Sequence, residues 1–67
     1  MTNVAKMDRT EFLKALEVLQ LSQQEAARRL GVGPRTVRYW VARSPTKRTP
    51  IPGPVAVVMR LWVRARR

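Results

Sequence analysis

Two arginines and a tyrosine close together in the chain are the side chains best suited to chemical recognition. Arg35, Arg38 and Tyr39 lie in the stretch GVGPRTVRYW, residues 31–40. The planar guanidinium group of arginine pairs with the O6 and N7 atoms of guanine and also binds phosphate. A tyrosine can contact a phosphate or the methyl group of thymine. This stretch therefore has the chemistry needed to recognise a nucleic acid.

The charge of the chain also points to a polyanionic partner. Its 67 residues carry 14 Lys and Arg against 4 Asp and Glu, for a net charge of +10. All four acids precede residue 26, so the rest of the chain contains basic residues but no acidic ones. This excess is larger than solubility requires. It predicts binding to a phosphate backbone or to an anionic lipid surface.

Catalysis is not expected from this composition. The chain has no His and no Cys, which removes the usual zinc ligands and nucleophile–base pairs. Its few carboxylates are scattered and have capping or surface roles, so they cannot form an acid–base pair. We expect no enzyme, no metal site, no cofactor and no small-molecule ligand. No apolar stretch approaches the roughly 20 residues that span a bilayer, and no signal peptide is apparent, which predicts a cytoplasmic protein.

Hydrophobic spacing and capping residues predict an all-α fold, a small domain of four helices. Asp8-x-x-Glu11 and Ser22-x-x-Glu25 are capping boxes, each of which opens a helix. Pro34 stands at the first position of a third helix, and Pro54 starts a fourth. The predicted helices span residues 9–20, 23–30, 34–43 and 54–67. Residues 1–7 are predicted to be a flexible arm, and residues 8–67 the folded domain.

The second and third helices are predicted to meet at a tight turn. Gly31 is suited to end one helix and Gly33 to cap the next. In the third helix Val37 and Trp40 face inward, and Trp40 is therefore expected in the core rather than as a stacking platform. The three prolines of residues 44–53 predict an extended loop that carries Lys47 and Arg48.

The sequence SQQEAARRLGVGPRTVRYW, residues 22–40, resembles the helix-turn-helix of the phage Cro and repressor family, the lambda repressor-like proteins. That family typically reads S-Q-x-x-x-A-x-x-L-G-V-S-x-x-T-V-x-x-W. One departure is Gly33, which replaces the usual capping serine. The resemblance implies that the third helix, residues 34–43, enters the major groove of DNA.

This resemblance and the charge of the chain together give a set of candidate contacts. Gln23 matches the family glutamine that binds a phosphate, with plain solvation as the alternative. Arg35 and Arg38 match family positions that reach base edges, with phosphate contact or solvation as alternatives. The predicted base contacts are Arg35, Arg38 and Tyr39. The predicted phosphate contacts are Gln23, Arg28, Thr36, Arg43, Lys47 and Arg48.

The fourth helix predicts a homodimer. Two bidentate arginines supply roughly 2 to 6 kcal/mol of discrimination, which barely reaches the roughly 4 to 10 kcal/mol of specific regulators. Two copies related by two-fold symmetry double the number of base contacts, and they require an inverted-repeat operator. The apolar surface of the fourth helix also exceeds what one side of a small bundle can cover. The predicted interface comprises Val57, Leu61, Val58 and Trp62, and the alternative is that these side chains all belong to the core.

The favoured function is a sequence-specific transcriptional regulator that represses its own operon from a double-stranded promoter operator. The ending W...P-x-P-G-P-V-A resembles a group of phage and mobile-element proteins that includes anti-CRISPR-associated regulators. Those proteins repress the operon that encodes them. One alternative is a basic architectural or RNA-binding protein without strong sequence preference. Another is a cationic membrane-active peptide, because residues 55–67 alone resemble an interfacial helix.

Overall fold

The computed structural model describes residues 6–66. This part of the chain folds into four α-helices and contains no strand. The helices are α1 (Arg9–Leu19), α2 (Gln23–Leu30), α3 (Pro34–Trp40) and α4 (Gly53–Arg66). The predicted all-α fold of four helices is confirmed. Most of the predicted arm, residues 1–5, lies outside the described residues. Met7 is buried, so the folded domain includes a residue that we had assigned to the arm.

An aspartate caps the start of α1. The side chain of Asp8 accepts a hydrogen bond of 2.8 Å from the backbone N–H of Glu11, as predicted. Glu11 does not complete the capping box, because its carboxylate binds Arg60 of α4 instead. Arg60 Nε donates to Oε2 at 2.7 Å and Nη2 donates to Oε1 at 2.9 Å. The predicted capping residue thus ties two helices together.

The turn between α1 and α2 follows the predicted positions closely. α1 ends at Leu19, one residue before the predicted end, and Gln20 follows as its cap in a left-handed conformation, with φ 56°. Ser22 then forms the complete capping box with Glu25. Its Oγ accepts from the N–H of Glu25 at 3.1 Å, and its own N–H donates to the Glu25 carboxylate at 2.9 Å. These hydrogen bonds lower the pKa of Glu25.

A single hydrophobic core holds the four helices together. α1 packs mainly on α4, and α2 packs mainly on α3. Phe12 of α1 meets Trp40 of α3 edge to face, with ring centroids 5.7 Å apart. Trp40 is therefore a core residue, as predicted. The buried apolar residues are Met7, Phe12, Ala15, Leu16, Ala26, Ala27, Val37, Trp40, Ile51, Ala56 and Met59.

α4 has one face in the core and an apolar outer face. Ala56 and Met59 are fully buried, and Trp62 is half-buried against the core. Val57 and Leu61 are 47% and 55% exposed. The alternative that these apolar side chains all belong to the core is therefore wrong. No helix within residues 6–66 is long and apolar enough to cross a membrane.

Acidification is expected to weaken the contact between α1 and α4. Hydrogen bonds from Arg60 lower the pKa of Glu11, against the opposing effect of partial burial. A lowered folded-state pKa means that Glu11 stabilises the fold above the ordinary carboxylate pKa, and that this stabilisation is lost as pH falls through the lowered value. Glu11→Gln should lower Tm by a few degrees at most at neutral pH, because the pair is partly exposed.

In strong acid the difference between Glu11→Gln and the wild type should disappear, because Glu11 is then uncharged in both the folded and the unfolded state. Thermal unfolding followed by circular dichroism across the acid range measures this. Glu17→Gln, on the exposed side of the same helix, is the matched control. A Glu11→Gln difference that persisted unchanged into strong acid would contradict the pairing.

Candidate nucleic-acid interface

A glycine-containing turn sets α3 against α2. Gly31 ends α2 with φ 75°, the left-handed conformation that glycine adopts without steric cost. The N–H of Val32 donates to the carbonyl of Ala27 at 2.9 Å and closes the helix end. Gly33 then caps α3 in an extended conformation without a side-chain hydrogen bond. The predicted helix end at Gly31 and cap at Gly33 are confirmed.

The two turn glycines should respond in opposite directions to substitution. Gly31→Ala should destabilise the domain by about 1 to 2 kcal/mol, because an alanine at positive φ is strained. Gly33→Ser should stabilise it by about 0.5 to 1 kcal/mol, because serine caps a helix and restricts the unfolded chain. A Cβ at Gly33 meets no atom closer than 3.9 Å. Urea unfolding measures both, and equal effects would contradict this assignment of the turn.

α3 separates buried apolar side chains from exposed polar ones. Val37 and Trp40 are 0% and 3% exposed. Arg35, Arg38 and Tyr39 are exposed, and their spacing of three and four residues places them on one outer face. We call these three residues the recognition face. Thr36 is also exposed and lies beside it.

α3 is shorter than predicted. It ends at Trp40 rather than at residue 43, and Val41 follows as its cap. Pro45 sets the outer limit of the helix, because it disfavours helical backbone at Ser44 and has no N–H to offer the carbonyl of Val41. The chain then turns, since the N–H groups of Lys47 and Arg48 both donate to the carbonyl of Ser44, at 3.1 and 3.0 Å. The prediction of an extended loop throughout residues 44–53 is therefore wrong for its first part.

The predicted phosphate contacts fall around the recognition face in sequence, on α2, on α3 and in the loop after it. Gln23 is the first residue of α2 and is half-buried, whereas Arg28, Thr36, Arg43 and Lys47 are exposed. Arg48 differs from these residues. It is exposed, but its guanidinium group donates to the carbonyls of Ala42 and Arg43, at 2.8 Å each. Two of its three nitrogens are thus engaged by the protein itself.

Neither arginine of the recognition face is paired with an acid in the part of the chain that the structure describes. Within residues 6–66 the one ion pair is that of Glu11 with Arg60, between α1 and α4. Glu25, the acid nearest in sequence to α3, uses its carboxylate to cap α2. Several arginines make no hydrogen bond to protein groups in this part of the chain, and they include Arg28, Arg35, Arg38 and Arg43. Their donors face solvent and are available to an anionic ligand.

A comparison with protein families identifies this arrangement. Residues 3–46 match the model of a homeodomain-like domain. The chain belongs to the homeodomain-like helix-turn-helix family. The matched part contains α1, α2 and α3, and thus the whole recognition face, while α4 lies beyond it. No curated protein sequence and no solved structure matches the chain.

Membership of this family indicates that the protein binds DNA, because the second helix of a helix-turn-helix enters the major groove. In this homeodomain-like domain that helix is α3. Sequence reasoning identified the recognition face but missed the contacts of Arg9 and Arg48 with the backbone after α3. A signal for the Arg9 contact was present in Pro45, because its missing N–H leaves the carbonyl of Val41 without a helical donor.

Proposed function

We propose that this protein is a sequence-specific DNA-binding regulator that reads the major groove with α3. The observation that carries the proposal is the recognition face. Arg35, Arg38 and Tyr39 are exposed, and neither arginine pairs with an acid within the described residues, while the buried Val37 and Trp40 hold the helix on the core. Arginine pairs with guanine at O6 and N7, and tyrosine can meet a thymine methyl or a phosphate. α3 thus offers both base and backbone contacts.

The regulator is proposed to act as a repressor of its own operon, bound to an inverted-repeat operator in the promoter. Two resemblances support this proposal. Residues 22–40 resemble the phage Cro and repressor family, and the segment that begins at Trp40 and ends at Ala56 resembles anti-CRISPR-associated regulators. A protein bound at a promoter excludes the polymerase without needing further chemistry. We accordingly propose that the protein has no enzymatic activity and needs no cofactor. We also propose that it acts in the cytoplasm, where its DNA target lies.

We further propose that the protein acts as a homodimer that pairs through the outer face of α4. Val57 and Leu61 are one helical turn apart, and both are about half exposed. Val58 is partly exposed and lies beside them. Trp62 packs against the core and contributes less of its surface than we expected from the sequence. Burial of this apolar face supplies the driving force for pairing.

Replacing Arg35 or Arg38 with alanine should remove sequence discrimination at one or two base pairs. Each loss should cost about 1 to 3 kcal/mol, the usual value of a bidentate arginine–guanine pair. The measurement is enrichment of duplexes from a randomised DNA pool by the wild type, followed by titration of each variant against the enriched duplex and its single-base changes.

Arg64→Ala is the matched control, because Arg64 is also an exposed arginine but lies on α4 and not on the recognition helix. This control should weaken binding slightly or not at all and leave every base preference intact. If Arg35→Ala and Arg38→Ala instead weaken all duplexes equally, both residues contact phosphates. A wild type that enriches no sequence, yet binds any duplex or RNA, would favour the architectural alternative.

A further inference from the structure

The end of α3 has more backbone acceptors than nearby backbone donors. In a continuing helix the N–H groups of residues 45, 46 and 47 would bind the carbonyls of Val41, Ala42 and Arg43. Pro45 has no N–H, and the N–H of Lys47 binds the carbonyl of Ser44 instead. The three carbonyls can therefore accept hydrogen bonds from side chains or from water.

Two arginine side chains supply these donors. Arg9, the first residue of α1, donates from Nε to the carbonyl of Val41 at 2.8 Å, in a partly buried contact. Arg48 donates from Nε to Ala42 and from Nη2 to Arg43, each at 2.8 Å. We call Arg9 and Arg48 the arginine clamp. Their positive charges also lie at the C-terminal end of α3, where the helix dipole favours them.

The clamp holds the segment that joins the recognition face to the basic loop. Tyr39 is the penultimate residue of α3, and its carbonyl accepts from the N–H of Thr49 at 3.2 Å. Arg43 is bound through its carbonyl by Arg48, which leaves its own side chain exposed. α1, α3 and the loop are thus joined at one point. Movement there would change where both Tyr39 and Arg43 project.

We infer that Arg9 and Arg48 are positioning residues for DNA recognition, and that Arg48 fixes the loop instead of binding a phosphate itself. The inference rests on the proposed function, since it says how the recognition face and the loop are held against DNA. It replaces the sequence-based interpretation of Arg48, in which this residue was one of several cations on the DNA backbone.

Arginine and lysine should differ at a positioning site. Arg48 contacts two successive carbonyls with two nitrogens of one planar group, a geometry that the single ammonium of lysine cannot reproduce. A phosphate contact, in contrast, is largely a matter of charge, and lysine serves there as well. Arg48→Lys therefore separates the two roles, because it keeps the charge and removes the paired donors.

The test compares Arg48→Lys and Arg9→Lys with Arg64→Lys, the same exchange at an exposed arginine of α4 that belongs neither to the clamp nor to the recognition face. Each variant is titrated at several salt concentrations against a duplex enriched by the wild type from a randomised pool, and against an unrelated duplex. Arg48→Lys should lose about tenfold in affinity for the enriched duplex, as expected when charge-assisted hydrogen bonds are lost. Its affinity for the unrelated duplex and its salt slope should remain unchanged. Arg64→Lys should resemble the wild type in every respect.

Two results would overturn the inference. One is an Arg48→Lys variant with wild-type affinity and base preference. The other is an Arg48→Ala variant whose only defect is a smaller salt slope, which would make Arg48 a phosphate contact. Circular dichroism of each variant shows that the comparison is between folded proteins, and Arg48→Lys remains available if Arg48→Ala unfolds.

A measurement without DNA separates failure of the clamp from failure of the proposed function. In the free protein the Nε–H groups of Arg9 and Arg48 should exchange with water more slowly than that of Arg35, which projects to solvent. Nuclear magnetic resonance of the arginine side chains measures these rates. Equal exchange at all three sites would overturn the clamp. A protected clamp in a protein that enriches no DNA sequence would overturn only the proposed function and the positioning role that depends on it.

Discussion

Replacing Phe12 with alanine is expected to remove most of the stability of the domain. Phe12 is 0% exposed and meets Trp40 edge to face, so it links α1 to the helix that carries the recognition face. Truncation of a buried phenylalanine costs about 3 to 5 kcal/mol. A domain of this length has a total stability of only about 3 to 10 kcal/mol. Urea unfolding followed by tryptophan fluorescence should show a midpoint near zero denaturant.

Leu61→Ala is the control for Phe12→Ala, because it also removes a large apolar side chain but from a position that is 55% exposed. It should change monomer stability by less than about 1 kcal/mol, as is usual for surface substitutions. Phe12→Leu provides a milder core variant that retains most of the apolar volume and should stay folded. A Phe12→Ala protein with nearly wild-type stability would mean that α1 does not pack on α3 as described.

The helix starts and the turn between α2 and α3 were predictable because local chemistry determines them. Ser22 and Glu25 need only each other to cap α2, and Gly31 needs only its own freedom at positive φ. The predicted bounds of α2, residues 23–30, agree exactly with the structure. The alternation of exposed and buried residues in α3 was likewise predictable, because helical periodicity alone separates Arg38 from Val37.

Contacts between residues distant in the chain were not predictable in the same way. Glu11 was interpreted as part of a local cap, but it binds Arg60, 49 residues away. Both roles suit a glutamate in the first turn of a helix, and only the packing of α4 on α1 decides between them. Arg48 poses the same difficulty, because its charge suggested a phosphate partner, whereas in the fold it binds the carbonyls of Ala42 and Arg43. Sequence patterns identify which side chains are cationic, whereas the fold decides which of them remain available to bind a phosphate.

Raising the salt concentration is expected to weaken binding to operator DNA by about three orders of magnitude. Once Arg48 is set aside, the exposed cations predicted to meet phosphates are Arg28, Arg43 and Lys47. Two copies of the protein then make about six such contacts, for a slope of log affinity against log salt near −5. Between about 50 and about 200 mM salt this slope corresponds to a loss of about 10³ in affinity. Titration of fluorescent operator duplex at graded salt concentrations measures it.

The same slope tests the proposed dimer, because a single copy has about half the contacts and should give a slope near −3. Lys47→Ala should reduce the magnitude of the slope by about two units if a dimer binds, and by about one if a monomer binds. Changing Val57 and Leu61 together to serine should give the slope expected of a monomer without unfolding the domain, because both side chains are about half exposed. A slope near −3 for the wild type, unaffected by the double serine variant, would show that one copy binds alone and that the outer face of α4 has another use.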